Sequence, residues 1–167
     1  MGESEVRIRR TRGAADYPLL QQIWRSAVDA THDFLADTDR DEIMALLATD
    51  YFPQVEIYVA EASGSPVGFS GLLDRRIEML FVTDAARGRG VGSSLVAHAI
   101  THHGVTQVDV NEQNPSAVAF YESRGFTVSA RSPYDDAGRP YPLLHMVRDI
   151  DSGTLSAPSL PAESDGR

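Results

Sequence analysis

Apolar and polar residues alternate at the start of the chain, with Val6 and Ile8 set among Arg7, Arg9 and Arg10. That spacing predicts a strand over 6–10. The period then lengthens. Asp16 with Pro18 opens a helix, in which Leu20, Ile23, Trp24, Ala27 and Thr31 take one side and Gln21, Gln22, Arg25 and Asp29 the other. A second helix is expected over 40–48, with Asp37 or Thr38 as its cap, Ile43, Leu46 and Leu47 as its stripe, and Pro53 closing the region. Strands over 57–61, 67–73 and 77–83 come next, separated by Ser63-Gly64-Ser65 and Asp74-Arg75-Arg76. Neighbouring strands joined by short turns read as an antiparallel meander. A helix over 91–102 carries Val91, Leu95, Val96, Ala99 and Ile100 on one side and ends at Gly104. A strand over 106–110 precedes a short helix, capped by Asn114 with Pro115 in its first position. Ala117, Phe120 and Tyr121 lie on roughly one face of it, and Gly125 ends it. Strands over 126–131 and 143–148 close the body, with a loop over 132–142 between them.

From residue 151 the chain is Ser, Pro, Ala and Gly with single acidic residues and no periodicity, which reads as a disordered tail over 151–167. Residues 1–150 are expected to form one domain, as suits a chain of 167 residues. There is no cysteine, which excludes disulfides, cysteine metal sites and thiol nucleophiles. The stretch at Met1 to Thr11 is polar, with no secretory leader visible in it, and no segment is apolar enough to span a membrane. A cytoplasmic protein, monomer or homodimer, is expected. The formal net charge of −9 advertises no nucleic-acid-binding face. His98, His102 and His103 crowd one helix and its end without a clustered carboxylate. No metal is expected there, and charge complementarity at a helix C-terminus accounts for them.

The richest local signal is Leu80-Phe81-Val82-Thr83-Asp84-Ala85-Ala86-Arg87-Gly88-Arg89-Gly90-Val91-Gly92, between a strand and a helix. Glycines allow positive φ and close ligand approach. The first turn of a helix presents unpaired N–H groups to an anion, and Arg87 and Arg89 add positive charge. On spacing alone a phosphate cradle and a tight turn with solvent-facing arginines fit equally well. No Gly-Lys-Ser/Thr comes after it, so this is no mononucleotide P-loop. The glycine spacing and the preceding hairpins also differ from a dinucleotide-binding βαβ unit.

Arg87-Gly88-Arg89-Gly90-Val91-Gly92 resembles the Arg/Gln-x-x-Gly-x-Gly/Ala signature of the GCN5-related N-acetyltransferase (GNAT) superfamily. A second block, Asn111, Asn114, Ala117 and Phe120-Tyr121-Glu122 leading to Gly125-Phe126, is similar to that superfamily's Asn-x-x-Asn…Ala…Phe-Tyr-x-x-x-Gly-Phe pattern. The resemblance covers about Val6 to Asp149. Segments 27–35, 110–114 and 140–144 look closer still to a small enterobacterial member. Asp84 stands where relatives often carry proline. The resemblance implies an α/β (α+β) fold, with a mixed, mostly antiparallel sheet of six to seven strands flanked by about four helices. It implies transfer of an acetyl group from acetyl-CoA to an amine, with coenzyme A as product and no covalent enzyme intermediate. Leu80, Phe81 and Val82 would pair with the pantetheine arm. Arg87, Gly88, Arg89, Gly90, Val91, Gly92, Ser93 and Ser94 would hold the pyrophosphate. Asn111, Asn114, Ala117, Phe120 and Tyr121 would line the thioester and the arm beyond it.

The reaction needs an acid for the departing thiolate and a base for the acceptor ammonium. The superfamily position makes Tyr121 the acid, and a phenol is a suitable donor; the alternative is a packing tyrosine beside Phe120. The N–H of Phe81 or Val82 would polarise the thioester carbonyl. Glu78 lies on the strand before the cofactor segment, on the side of Leu80, as a candidate base or as an exposed strand carboxylate. His32 and Asp33, at the end of the first helix, would border the acceptor with Asp29 and Phe34, or merely cap a turn. Tyr134, with Asp135 and Asp136, forms a candidate wall or an ordinary loop. The leading expectation is a small-molecule primary amine as acceptor. A peptide N-terminus or lysine is the alternative, and an acyl-CoA-binding protein with little turnover is a third.

Overall fold

A computed structural model describes residues 5–149; the expected tail lies outside them. The elements run β1 (Val6–Arg10), α1 (Tyr17–Thr31), α2 (Asp37–Leu46), β2 (Glu56–Ala62), β3 (Ser65–Leu73), β4 (Arg76–Val82), α3 (Val91–His103), β5 (Gln107–Asn111), α4 (Pro115–Ser123), β6 (Phe126–Ser132) and β7 (Leu143–Arg148). This is the expected α/β class, with a mostly antiparallel set of seven strands and four helices. The described residues fall into two compact units, divided between Val105 and Thr106.

In the first unit the strand order is β1-β2-β3-β4, antiparallel throughout. The turn between β3 and β4 holds Asp74 at φ 56°. Phe69 pairs with Phe81 and Ser70 with Leu80, so successive side chains alternate between two layers. One layer is aromatic: Phe81 meets Trp24 of α1 at 6.3 Å and Phe69 at 5.8 Å, and Phe69 meets Phe52 at 5.7 Å. The other layer packs Leu80 and Val82 with Ala60, Ala86, Val91 and Leu95, under α3. Gly68 makes this approach feasible. A Cβ there would stand 3.0 Å from both the Phe81 carbonyl oxygen and Val91 Cγ1.

In the second unit β7 lies between β5 and β6, antiparallel to both. Val108, Val110, Phe126 and Met146 are buried, and α4 packs on β5 and β6.

Two local expectations are corrected. Helix α2 starts at Asp37 rather than 40, and Leu47–Tyr51 continues it as a wider, π-type turn. Neither Asp37 nor Thr38 caps it, because Ala36 holds the cap position with extended backbone. Asp16 stands at the N-cap of α1 but makes no side-chain cap hydrogen bond. Its carboxylate instead accepts from Arg9 Nη1 and Nη2, both at 3.0 Å, from Thr11 Oγ1 at 2.9 Å and from the Arg12 N–H at 2.7 Å. Arg9 Nε reaches Glu61 at 2.8 Å.

The Arg9 guanidinium holds Asp16 well below the usual carboxylate range, and Asp16 is only 4% exposed. Its stabilising contribution is therefore present above the ordinary carboxylate pKa and lost as pH falls below it. Asp16→Ala leaves a half-buried arginine without its partner and is expected to cost about 3 kcal/mol. Urea unfolding at pH 7 should show this as a lower midpoint with an unchanged slope.

Candidate active site

Strand β4 delivers the chain to the glycine turn. Its exit is pinned by Ser26 of α1, whose Oγ accepts from Thr83 Oγ1 and from the Asp84 N–H, each at 3.0 Å. The Thr83 N–H donates to Val67 at 2.8 Å. A single 3-10 turn, Asp84–Ala86, comes next. Backbone hydrogen bonds from Ala86 to Thr83 and from Arg87 to Asp84 shape it.

Gly88 and Gly90 adopt φ 77° and 84°, the left-handed region that disfavours a side chain. Gly90 is the N-cap of α3. Nothing stands within 4 Å of the place where either glycine would carry a Cβ. The space beside the turn is therefore open, and the glycines answer a backbone requirement. Arg87 and Arg89 are exposed, Arg87 lying 3.5 Å from Asp84. The first turn of α3, with Val91, Gly92, Ser93 and Ser94, brings the positive end of the helix dipole to the same place. These residues fit a polyphosphate.

The end of α1 carries the expected acceptor-side residues, on the aromatic layer of β4. His32 lies 5.1 Å from the Phe34 ring and 6.4 Å from Phe81. Its Nδ1 is 2.7 Å from Thr31 Oγ1. Burial, and then the nearby Arg40 charge, lower its pKa to about 4. Asp33 is exposed. Asp29 is already met by Arg25 Nε at 3.1 Å and Arg40 Nη1 at 3.2 Å, so its charge serves the joint between α1 and α2. Glu78 occupies a β-bulge: Gly71 pairs with Met79 and Leu72 with Ile77, leaving Glu78 as the extra residue. The simple alternation that set it beside Leu80 is interrupted there, and Arg76 lies 3.6 Å from its carboxylate.

In the second unit Asn111 ends β5 opposite Leu143. Asn114 caps α4, its Oδ1 accepting from the Ala117 N–H at 3.3 Å. Tyr121 of α4 is 6% exposed and packs edge-on against Phe120 at 5.1 Å and Phe126 at 5.7 Å. Its hydroxyl has no hydrogen-bond partner among the described residues. Burial raises its pKa, so the phenol keeps its proton. Tyr134 is 56% exposed on the loop between β6 and β7. Asp135 of that loop is used structurally, accepting from the N–H groups of Ala137 and Arg139 at 3.0 and 2.8 Å.

Sequence reasoning missed one constellation. His145 of β7 approaches Asp109 Oδ1 through Nδ1 at 2.8 Å and Ser132 Oγ through Nε2 at 2.6 Å. The available signal was the alternation on β5, where Gln107, Asp109 and Asn111 interleave with buried Val108 and Val110. Among the described residues no group of His, Asp or Glu is arranged to hold a metal ion. His98 and His103 instead stack around Tyr58 at 4.8 and 4.7 Å.

A strand that runs through a left-handed glycine turn into a helix N-terminus can hold a phosphate-bearing ligand. The profile described as "Acetyltransferase (GNAT) domain" matches residues 30–147, and the chain belongs to that family and is an acyltransferase of the GNAT type. It is 43% identical over 143 residues to the peptidyl-lysine N-acetyltransferase YjaB of Salmonella typhimurium, covering 85% of this chain and 97% of the relative. The YjaB of Escherichia coli is 42% identical, covering 85% of this chain and 96% of that protein. The solution structure of apo-form YjaB from Escherichia coli superposes with a TM-score of 0.78 at 40% identity, covering 86% of this chain and 97% of that one.

The lowered pKa of His32 links it to stability. The unfolded ring titrates near 6.5 and the folded ring near 4. Stability should hold above pH 6.5 and fall by up to about 3 kcal/mol as pH drops to 4, because only the unfolded state takes up the proton. Urea titrations across that range should show this extra slope in the native protein and its loss in His32→Gln.

Proposed function

We propose that this chain transfers the acetyl group of acetyl-CoA to the side-chain amine of lysine in a peptide or protein. The likeness to relatives named for that activity, over nearly their whole length, carries the reading. The small-molecule acceptor favoured by the sequence alone has no comparable support. All fifteen basic residues of the chain are arginine, so the protein has no lysine side chain to compete with its substrate.

Acetyl-CoA supplies an activated acetyl thioester. The turn from Arg87 to Gly92 and the first residues of α3, Ser93 and Ser94, hold its pyrophosphate by N–H groups and arginine charge. Leu80, Phe81 and Val82 offer backbone groups to the pantetheine arm, and the Phe81 or Val82 N–H polarises the thioester carbonyl. Asn111, Ala117 and Phe120 line the arm beyond, with Asn114, whose NH2 donors are not used by the helix cap. The Tyr121 hydroxyl, kept protonated by burial, gives its proton to the departing sulfur. The imidazole of His32 and the rings of Phe34 and Phe81 offer an apolar surface to the methylene stem of a lysine.

Tyr121→Phe should lower turnover on a lysine peptide by about 10²-fold while leaving acetyl-CoA affinity within a few-fold. Unchanged turnover would remove Tyr121 from the acid role. Acceptor choice is read by mass spectrometry after incubation with acetyl-CoA and competing amines: N-terminally blocked lysine peptides, lysine-free peptides with a free N-terminus, and polyamines. Acetylation confined to the lysine peptides supports the proposal, and acetylation of the polyamines alone sinks it.

A further inference from the structure

The geometry points to Ser132, His145 and Asp109 as a proton relay that deprotonates the acceptor ammonium. It rests on the reading of the chain as an amine acetyltransferase. The three side chains come from three adjacent strands of the second unit, and their order is chemically directed. Asp109 is a carboxylate and accepts the Nδ1 proton of His145 at 2.8 Å. That fixes the tautomer with the lone pair on Nε2, which accepts from the Ser132 hydroxyl at 2.6 Å.

The register of the hairpin makes this possible. Val128 pairs with Met146, but Ala130, not Ser129, pairs with His145, and Ser132 pairs with Leu143. Ser129 is the extra residue of a bulge, and its Oγ donates to the His145 carbonyl at 3.1 Å. Paired residues share a face. Without the bulge, Ser129 and Arg131 would share the face of His145. With it, Ala130 and Ser132 do, and Arg131 turns away to Glu112, at 2.7 and 2.9 Å. The titratable group facing the imidazole from β5 is Asp109, and β6 brings only the small Ala130 and Ser132.

The face also suits the task. Asn111 lies two residues along β5 from Asp109, on the same side and about 7 Å away. Phe126 pairs with Arg148, two residues from Met146, and so belongs to the opposite face. Tyr121 packs on Phe126. Tyr121 therefore packs on the face of this sheet opposite the relay. Glu78, which the sequence offered either as a base or as an exposed strand carboxylate, lies 3.6 Å from Arg76 in the first unit.

The step balances as one proton transfer. An ammonium N–H bond breaks, its proton joins Ser132 Oγ, and the Ser132 proton passes to His145 Nε2. The ring becomes an imidazolium beside Asp109, which acts as the positioning residue. The neutral amine keeps its lone pair for attack on the thioester carbonyl, and His145 later releases the proton to water. Serine is a conduit here and not an acyl carrier. The residue after it is Pro133, which has no N–H to offer an oxyanion.

The test compares wild type with His145→Gln, His145→Ala and Asp109→Asn, on a lysine peptide from pH 6 to 10. His145→Gln should lower kcat/KM about 10²-fold at pH 7, with the deficit shrinking toward pH 10 as the lysine loses its proton unaided. Acetyl-CoA affinity should not change, and added imidazole should restore part of the activity of His145→Ala. Nitrogen NMR of the ligand-free protein should show His145 as the Nδ1–H tautomer, lost in Asp109→Asn. A His145→Gln enzyme with the wild-type rate and pH profile overturns the relay. So does an acetyl adduct on Ser132 that chases into product, which intact-mass measurement would expose in a chain without lysine or cysteine. Wild-type protein that binds acetyl-CoA but acetylates no amine would overturn the proposed function and the relay with it, whereas the first two results overturn the relay alone.

Discussion

The first unit depends on one close approach, α3 over Gly68 of β3. A Cβ at that residue would meet a backbone carbonyl and Val91 Cγ1, both at 3.0 Å, so only glycine lets the first turn of the helix sit down on the sheet. Val91 is the first residue of α3 and comes directly after Gly90. Seating Val91 therefore also sets where the left-handed glycine turn points its N–H groups. The same strand pair must satisfy the other layer, where Phe69 and Phe81 meet the aromatic rings of α1. Since side chains alternate, a one-residue slip of β4 would exchange Phe81 with Leu80 or Val82 and break both layers together. The geometry of the glycine turn and the packing of the core are here the same constraint.

That coupling explains what was legible in the sequence. Element types and order could be read because each strand and helix carries its own period, and the glycine turn announces itself by composition. The cap of α4 was readable because Asn114-Pro115 is a purely local signal. Asp16 was not. Its sequence position marks a helix start, but its carboxylate is claimed by Arg9, a partner that only the pairing of β1 with β2 presents together with Glu61. The bulges were equally hidden. A bulge inserts one residue into a ladder, and nothing local at Glu78 or Ser129 declares it. Each shifts the phase of the strand beyond it, so Glu78 lost the neighbour its alternation implied and Ser132 gained one, His145, from thirteen residues away.

The acidic balance of the chain has also changed meaning. In a chain of net charge −9, the carboxylates expected to border the acceptor, Asp29 and Asp33, would suit a cationic substrate. Asp29, however, shares Arg25 and Arg40 with Asp41 and Asp37, and Asp135 shapes its own loop. Beside His32 stand the rings of Phe34 and Phe81, with the Arg40 guanidinium also close by. The proposed lysine acceptor can lay its four-carbon stem on these rings while its single charge is removed elsewhere.

Removing that charge is the step the surroundings must arrange. An ammonium near pKa 10.4 is protonated in all but about one molecule in a few thousand at neutral pH. Carboxylates are weak proton acceptors by their reference values, and the carboxylate of Glu78 lies 3.6 Å from Arg76. An imidazole is closer to the working pH, and a carboxylate on its far nitrogen both fixes the ring and offsets the charge it acquires. The bulge at Ser129 is the structural cost of that arrangement, one unpaired residue in a ladder. It removes an arginine, which would repel both the ammonium and the protonated ring, from the face where the proton must move, and replaces it with a hydroxyl that can carry the proton.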